Sequence, residues 1–130
     1  MSAQPYRLTI KQKVGYVHAI VTGQNSAENM KDYLEELLRE CTARGYCNVL
    51  IEERLVGPRL GMYDIFQLAS TMGERARGAV EAVAYVDVNA ETDRSTKFAE
   101  DVVVNRGLKA RMSGSVEDAA EWLKPLRRRA

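Results

Sequence analysis

The chain has 130 residues, of which 45 % are hydrophobic and 28 % are charged, and its formal net charge is +1. This length suits one domain, because two domains of half the size would each bury too little surface for a stable core. A charge so close to zero argues against nucleic acid or a membrane as partner, and no apolar stretch approaches the roughly 20 residues that span a bilayer. We predict a single domain over residues 1–130, with an N-terminal arm at 1–5 and a basic tail at 127–130.

Two strand patterns open the domain. Residues Tyr6–Lys11 alternate strictly between apolar and polar side chains, which is typical of a half-buried strand. Residues Tyr16–Val21 indicate a second strand, and Gly23 is expected to end it. The interval between the two runs is too short for a crossover helix, so they are predicted to form an antiparallel hairpin.

A helix and a buried strand are predicted next. Ser26 suits a helix N-cap and Gly45 a C-terminal stop. The apolar residues between them have helical spacing: Met30, Tyr33, Leu34, Leu37, Leu38 and Cys41. Asn48–Glu52 is a short apolar run, the pattern of a central strand. Leu55–Arg59 is predicted to be a loop, because a Gly-Pro pair interrupts it.

The second half of the chain repeats this alternation. A second amphipathic helix has Met62, Ile65, Phe66, Ala69 and Met72 on its apolar side. Ala82–Asp87 is another buried strand, and a third helix that Gly107 stops has Phe98, Ala99, Val102 and Val103 on its inner side. Leu108–Met112 alternates and is predicted to be an edge strand, and Ser115 begins a last helix with a capping box.

The predicted order is therefore β-β-α-β-α-β-α-β-α. After the hairpin, each strand–helix–strand unit is expected to be a right-handed crossover that joins parallel strands. The expected fold class is α/β, a mixed five-stranded sheet with packed helices.

Three local sequence similarities accompany this order. They are Val21-Thr22-Gly23, then Leu50-Ile51-Glu52-Glu53 leading to Gly57-Pro58-Arg59, and last Glu117-Asp118-Ala119-Ala120-Glu121-Trp122-Leu123. In element order and in these stretches the chain resembles STAS domains, the anti-sigma-factor-antagonist fold. Within that group it looks most like the stand-alone bacterial SpoIIAA-like proteins. The resemblance implies the fold and the habit of binding a partner.

The chain departs from this family at one functional position. Antagonists of the sporulation type are phosphorylated on a serine at the start of the second helix. Here that junction, Arg59–Asp64, contains neither serine nor threonine. A phosphate would place charge on the partner-binding edge, so this switch is not expected at that point. The resemblance then implies a STAS-like binding or regulatory module without that switch.

A binding site is expected where the inner strands end. In sheets with parallel strands, ligands favour the C-terminal strand ends. The residues predicted to gather there are Arg54, Gly57, Pro58, Arg59, Tyr63 and Asp87. Arg59 would lie beside a helix N-terminus, which favours an anion, and either arginine would suit a two-pronged contact to phosphate or carboxylate. The alternative is that these arginines only pair with Glu52, Glu53 and Asp87 at a solvated rim, where such pairs contribute about 0 to 1 kcal/mol.

Catalysis, metals and cofactors are not expected. The one histidine, His18, lies in the second strand, far in sequence from the polar rim, and Glu52 and Glu53 are neighbours that should point to opposite faces. Two cysteines, Cys41 and Cys47, are too few for a disulfide framework or a four-ligand zinc site. They indicate reduced thiols near the core and, with no signal peptide, a cytoplasmic protein. An enzyme that uses Asp87 with an arginine remains a minor alternative.

Two classes of partner remain open. The first is another protein, bound through the Arg54–Tyr63 loop and the start of the second helix, or a second copy of the chain in a homodimer. The second is a small apolar or anionic molecule, which the chain would carry. Met62, Phe66, Met72 and Phe98 would line its cavity, although their helical spacing is also explained as core packing.

Overall fold

A computed structural model describes residues 6–45, 48–58, 60–88 and 94–124, with the backbone alone for 94–96. The elements in chain order are β1 (Tyr6–Lys13), β2 (Tyr16–Gln24), α1 (Ala27–Arg44), β3 (Asn48–Val56), α2 (Met62–Ala76), β4 (Ala82–Asp87), α3 (Arg94–Asn105), β5 (Lys109–Ser113) and α4 (Val116–Leu123). The predicted order and α/β class are confirmed. The predicted arm at 1–5, Cys47, Arg59 and the tail at 127–130 lie outside the described residues.

The sheet has the strand order β1-β2-β3-β4-β5, with β1 antiparallel to β2 and the other pairs parallel. Each parallel connection moves one strand along in the same direction, so right-handed crossovers place α1, α2 and α3 on one side. We call this side the three-helix face; it carries Val49, Ile51 and Glu53 of β3. The other side, the α4 face, carries Leu50 and Glu52 and is partly covered by α4.

Each face of the sheet has its own core. On the three-helix face, α1 packs the buried side chains of Tyr33, Leu37 and Cys41 against β1, β2 and β3. On the α4 face, Ala119 and Leu123 pack against apolar side chains of β3 and β4. The strands β1 and β5 form the two edges of the sheet, as predicted for the run that became β5.

Three strands are longer than the sequence predicts, and the first of them, β1, runs to Lys13 instead of Lys11. The β2 strand continues past Gly23 to Gln24, and β3 continues through Leu55 and Val56, which were predicted to be loop. Gly23 and Gln24 pair in parallel with Leu55 and Val56, so the ladder itself extends both strands. Gly23 has φ 135°, a conformation that glycine adopts readily, and the strand continues through it.

Three predicted helix caps are confirmed, at Ser26, Gly45 and Ser115. Ser26 and Ser115 each accept a hydrogen bond from the backbone N–H three residues on, at 3.0 Å, and Gly45 ends α1 with φ 75°.

The predicted inner face of α2 is partly wrong, because Met62 and Phe66 are 48 % and 39 % exposed. Helical spacing identifies an apolar stripe, but it does not show how much of the stripe another element covers. In the described ranges, no helix has the length and apolar character needed to cross a membrane.

Candidate functional site

A cavity of about 170 Å³ lies between the three-helix face and the helices above it, and it is partly open to solvent. Side chains from α1, α2 and the strands form its wall, and nearly all of them are apolar. They include Met30, Leu34, Leu38, Val49, Ile51, Ile65, Leu68, Met72, Val83, Ala110 and Met112. Such a wall gives water few hydrogen-bond partners and therefore favours an apolar molecule.

The cavity exists because of how α2 is packed. This helix packs against α3 and α1. The residues of α2 that line the cavity include Ala69 and Ala76, whose small side chains occupy little of the space below. Gly73 also lets α3 approach closely, since a β-carbon there would lie 3.3 Å from Cγ1 of Val103. The sequence therefore brings α2 and α3 together while leaving a gap above the strands.

One part of the cavity wall is polar. Glu53 and Asp87 are register partners on β3 and β4, and both line the cavity with Tyr85 and Asn25. We call these four residues the polar end. Glu53 is only 3 % exposed, and its Oε2 accepts a hydrogen bond of 2.6 Å from the Tyr33 hydroxyl. The polar end is thus built around a buried carboxylate.

The two tyrosines stay protonated beside this carboxylate. Burial, reinforced by the Glu53 carboxylate, raises the pKa of Tyr33 and of Tyr85 well above the ordinary value. Both hydroxyls hydrogen bond with Glu53. Asn25 differs from these residues: its Nδ2 donates to the Pro58 carbonyl at 2.9 Å, while its buried Oδ1 has no hydrogen-bond donor in the described structure.

A separate ionic cluster lies on the α4 face. Oε1 of Glu52 is 2.8 Å from Nε2 of His18, and Oε2 accepts hydrogen bonds from the Arg54 guanidinium at 2.6 Å. Glu52 is 6 % exposed. Burial alone would raise the pKa of its carboxyl, but Arg54 and His18 hold the pKa below the ordinary value. This cluster and the cavity are on opposite sides of the sheet.

The structure separates the residues predicted to form one site. Asp87 lies at the polar end, but Arg54 belongs to β3 and faces the other side, so their predicted convergence is wrong. The error comes from ending β3 too early: within a strand, consecutive side chains alternate faces, and Arg54 therefore follows Glu52. The same alternation confirms that Glu52 and Glu53 point apart. The alternative prediction that Arg54 pairs with Glu52 is confirmed, with the Arg54 side chain 51 % exposed and the Glu52 carboxylate buried.

The loop residues have other positions. Pro58 contributes its carbonyl to Asn25, and Gly57 has φ 114°, with a position for a β-carbon only 3.2 Å from Oε1 of Gln24. Tyr63 is 74 % exposed at the start of α2. These residues therefore surround the approach from β3 to α2, while Arg59 lies outside the described residues.

The predicted lining of a carrier cavity is only partly right. Met72 lines the cavity, whereas Met62, Phe66 and Phe98 do not. The rings of Phe66 and Phe98 lie 6.4 Å apart, and the Arg106 guanidinium lies 5.8 Å from the centre of the Phe66 ring. That contact joins α2 to α3 away from the cavity. Asn25, Tyr33 and Tyr85 were not predicted to lie at or beside the polar end, because their meeting there depends on the packing of α1 and of the strands.

No metal site appears in the part of the chain that the structure describes: no three His, Cys, Asp or Glu side chains there are grouped to hold an ion. His18 has Glu52 as its carboxylate partner and lies across the sheet from the cavity. The polar end contains carboxylates, hydroxyls and an amide, which can accept or donate hydrogen bonds to a bound molecule.

Comparisons with known proteins place the fold. No family model matches the chain, and no curated protein matches it. Among solved structures, it is similar to an uncharacterized protein of the DUF3478 family with a SpoIIAA-like fold from Shewanella loihica PV-4. The two are 17 % identical with a TM-score of 0.53, and the match covers 95 % of this chain and 98 % of that one. Architecture and comparison agree that this chain has the SpoIIAA-like fold.

Proposed function

We propose that this chain is a non-catalytic binding protein that holds a small, largely apolar molecule in the cavity beneath α2. The observation that carries the proposal is the apolar space of about 170 Å³ inside an otherwise packed domain. Protein interiors normally leave few voids larger than a water molecule. Engineered apolar cavities of about 150 Å³ stay dry and bind benzene or xenon, so this volume suits a ligand of similar size.

The packing of α2 supports reversible binding. A molecule beneath this helix contacts apolar side chains of α2 and of the strands that line the cavity. Apolar surface that binding removes from water contributes about 25 cal/mol per Å² to the binding free energy. The partial opening of the cavity to solvent allows entry without unfolding.

This function is favoured over an anion site formed by Arg54 and Asp87. Arg54 is turned to the opposite face and already pairs with Glu52. Within the described residues, neither lysine nor arginine lines the cavity. The carrier hypothesis therefore has a built site, whereas the anion hypothesis has lost one of its two arginines.

The test is binding of benzene followed by NMR and calorimetry on the full chain. We expect saturable binding that Ala69→Leu weakens by about ten-fold or more, because the larger side chain fills the cavity. Thr71→Leu is the matched control, since Thr71 is exposed on the same helix and its replacement should leave the affinity unchanged. Native mass spectrometry of freshly purified protein tests for a co-purifying molecule. Absence of saturable benzene binding by the wild type would refute the proposal.

A second candidate function is association through the start of α2. Met62, Tyr63 and Phe66 expose 48 %, 74 % and 39 % of their surfaces there. Exposed aromatic residues often anchor protein interfaces. The candidate is tested by sedimentation of the wild type and of Tyr63→Ser. A homodimer formed through this surface should weaken in the variant, and a wild type that is monomeric at every concentration would exclude it.

A further inference from the structure

We propose that β1, the first edge strand of the sheet, binds an extended segment of another protein in which acidic and apolar residues alternate. The proposal concerns a surface outside the cavity and does not depend on the proposed function. Three features of the strand carry it: the open outer edge of its backbone, the cations on one of its faces and the apolar side chains on the other.

The outer edge of β1 is open to strand pairing. The strand has 8 residues and pairs with β2 along one side, and within the described residues no strand lies on its other side. An edge strand presents backbone N–H and C=O groups with which an added strand can pair. The opposite edge, β5, has 5 residues, and the N–H of Met112 there already donates to Oε1 of Glu100 at 2.9 Å. The more accessible edge is therefore β1.

The side of β1 on the α4 face is cationic. Arg7, Lys11 and Lys13 all point to that face, because register partners share a face and Lys11 is the partner of His18. All three cations are exposed, and within the described residues none of them forms an ion pair. The only carboxylate that β1, β2 and β3 place on this face is that of Glu52, which is buried and held by its own partners. The charge of the three cations is therefore available to a partner.

The side of β1 on the three-helix face is apolar. Leu8 and Ile10 alternate with the cations, are half-buried and pack against the core of that face. At the start of the strand, the Tyr6 hydroxyl donates to Oε1 of Glu36 on α1 at 2.6 Å, and Asp32 is also close enough to act on that hydroxyl. These carboxylates would repel an acidic residue on this side. An added strand is therefore expected to place apolar side chains beside Leu8 and Ile10.

These two sides together define the partner. Successive side chains of a strand point to opposite faces, so a segment that alternates acidic and apolar residues meets the cations and the apolar side chains at once. A second copy of β1 does not fit, because it would bring its own arginine and lysines against those of the first, and like charges on opposed strands are destabilising. A nucleic acid would use the cations, but neither the backbone edge nor the apolar side. The partner that fits all three features is an acidic, extended polypeptide.

The experiment is a fluorescence anisotropy titration of the full chain at neutral pH with labelled synthetic peptides of eight residues, the length of β1. We expect saturable binding of a peptide that alternates glutamate and valine. A peptide of the same composition, with two glutamates followed by two valines and then repeated, should bind about ten-fold or more weakly, because it cannot keep its charges on one face. A peptide with lysine in place of glutamate should bind at least as weakly.

Variants of the protein locate the binding edge. Lys11→Glu should weaken binding of the alternating peptide by about ten-fold, because an attractive cross-strand pair becomes repulsive. The matched control is Lys109→Glu, which makes the same change at an exposed lysine on β5 and should leave the affinity within about two-fold, since salt screens distant charges. Arg7→Glu provides a second test if Lys11→Glu fails to fold. Hydrogen exchange should show that the peptide protects backbone amides of β1 and leaves those of β5 unchanged.

Each contrary outcome overturns a defined part of the proposal. Absence of saturable binding of the alternating peptide refutes it entirely. Equal affinity for the two glutamate peptides would show attraction by charge without strand pairing, and equal weakening by Lys11→Glu and Lys109→Glu would exclude β1 as the binding edge. Tighter binding of single-stranded DNA, lost in Lys11→Glu, would replace the acidic polypeptide by a nucleic acid. Benzene binding should be unchanged in Lys11→Glu, so the cavity and the edge strand are tested separately.

Discussion

Replacing Ala110 with leucine tests directly whether the cavity is empty space. Ala110 lies on β5, pairs with Val83 of β4 and lines the cavity from the sheet side. The larger side chain extends into the cavity without changing any charge. Its effect on stability therefore depends on whether that volume is free or already filled by packed atoms.

The two possibilities predict opposite signs. The change adds three carbon groups, and each buried one contributes about 0.8 kcal/mol, so filling free space should stabilise the fold by about 2 kcal/mol. Inserting the same groups into a packed core costs about 1 to 3 kcal/mol. For a domain of this size, the expected gain corresponds to a rise in Tm of roughly 5 to 10 °C.

The assay is urea unfolding with thermal unfolding as a second measurement. The matched control is Arg111→Leu, because Arg111 is the next residue on β5, is exposed and faces the α4 side. It adds a leucine to the same strand outside the cavity and should change stability little. A fall in stability specific to the Ala110 variant would show that the space is filled, and would refute the cavity.

Three further predictions concern titrating groups. Burial alone would raise the pKa of Glu52, but Arg54 lowers it. The contribution of the Glu52 carboxylate to stability is therefore present above about pH 4.5 and lost as the pH falls further. Acid unfolding curves should show this loss, and Glu52→Gln should make stability depend less on pH in this range. Burial and the hydrogen bond to Glu36 raise the pKa of Tyr6 to about 12, so stability should fall between about pH 10 and 12, and Tyr6→Phe should show a smaller fall in urea unfolding. At neutral pH that variant should be less stable by about 0.5 to 1.5 kcal/mol. Burial raises the pKa of the Cys41 thiol to about 11. In a Cys47→Ser variant, the folded protein should therefore not react with a thiol reagent at pH 8. Rapid reaction would contradict the burial of Cys41.

The fold was predictable because its signals are local. The alternation of periodicities along the chain identified each element, and the serine caps at 26 and 115 and the glycine at 45 marked helix ends correctly. The true ends of β2 and β3 were missed for a different reason. Gly23 and Leu55 extend those strands by pairing with each other, and sequence alone does not reveal that register.

The candidate site was only partly predictable. Asp87 was identified because it follows an inner strand, where ligands of such sheets collect. Glu53 was named as a neighbour of Glu52 and as a pairing partner of the arginines, but its place beside Asp87 depends on the register of two strands. Arg54 was misplaced because β3 was predicted to end before it. One error in a strand boundary therefore moved an arginine to the wrong face.

The cavity itself has no direct signal in the sequence. The apolar spacing of α2 predicts a buried side, and the same spacing describes a filled core and a hollow one. The difference lies in Ala69 and Ala76, whose small side chains line the cavity from α2. Their effect depends on the height at which α1 and α3 hold α2, which is a property of tertiary packing.

A crystal structure of the protein under xenon pressure would test the binding cavity most directly. Xenon occupies apolar cavities of about this size without requiring a polar partner. We expect a xenon atom between α2 and the strands, in contact with Met72 and Val83. A well-occupied xenon site elsewhere, with side chains filling the space beneath α2, would contradict the proposed function.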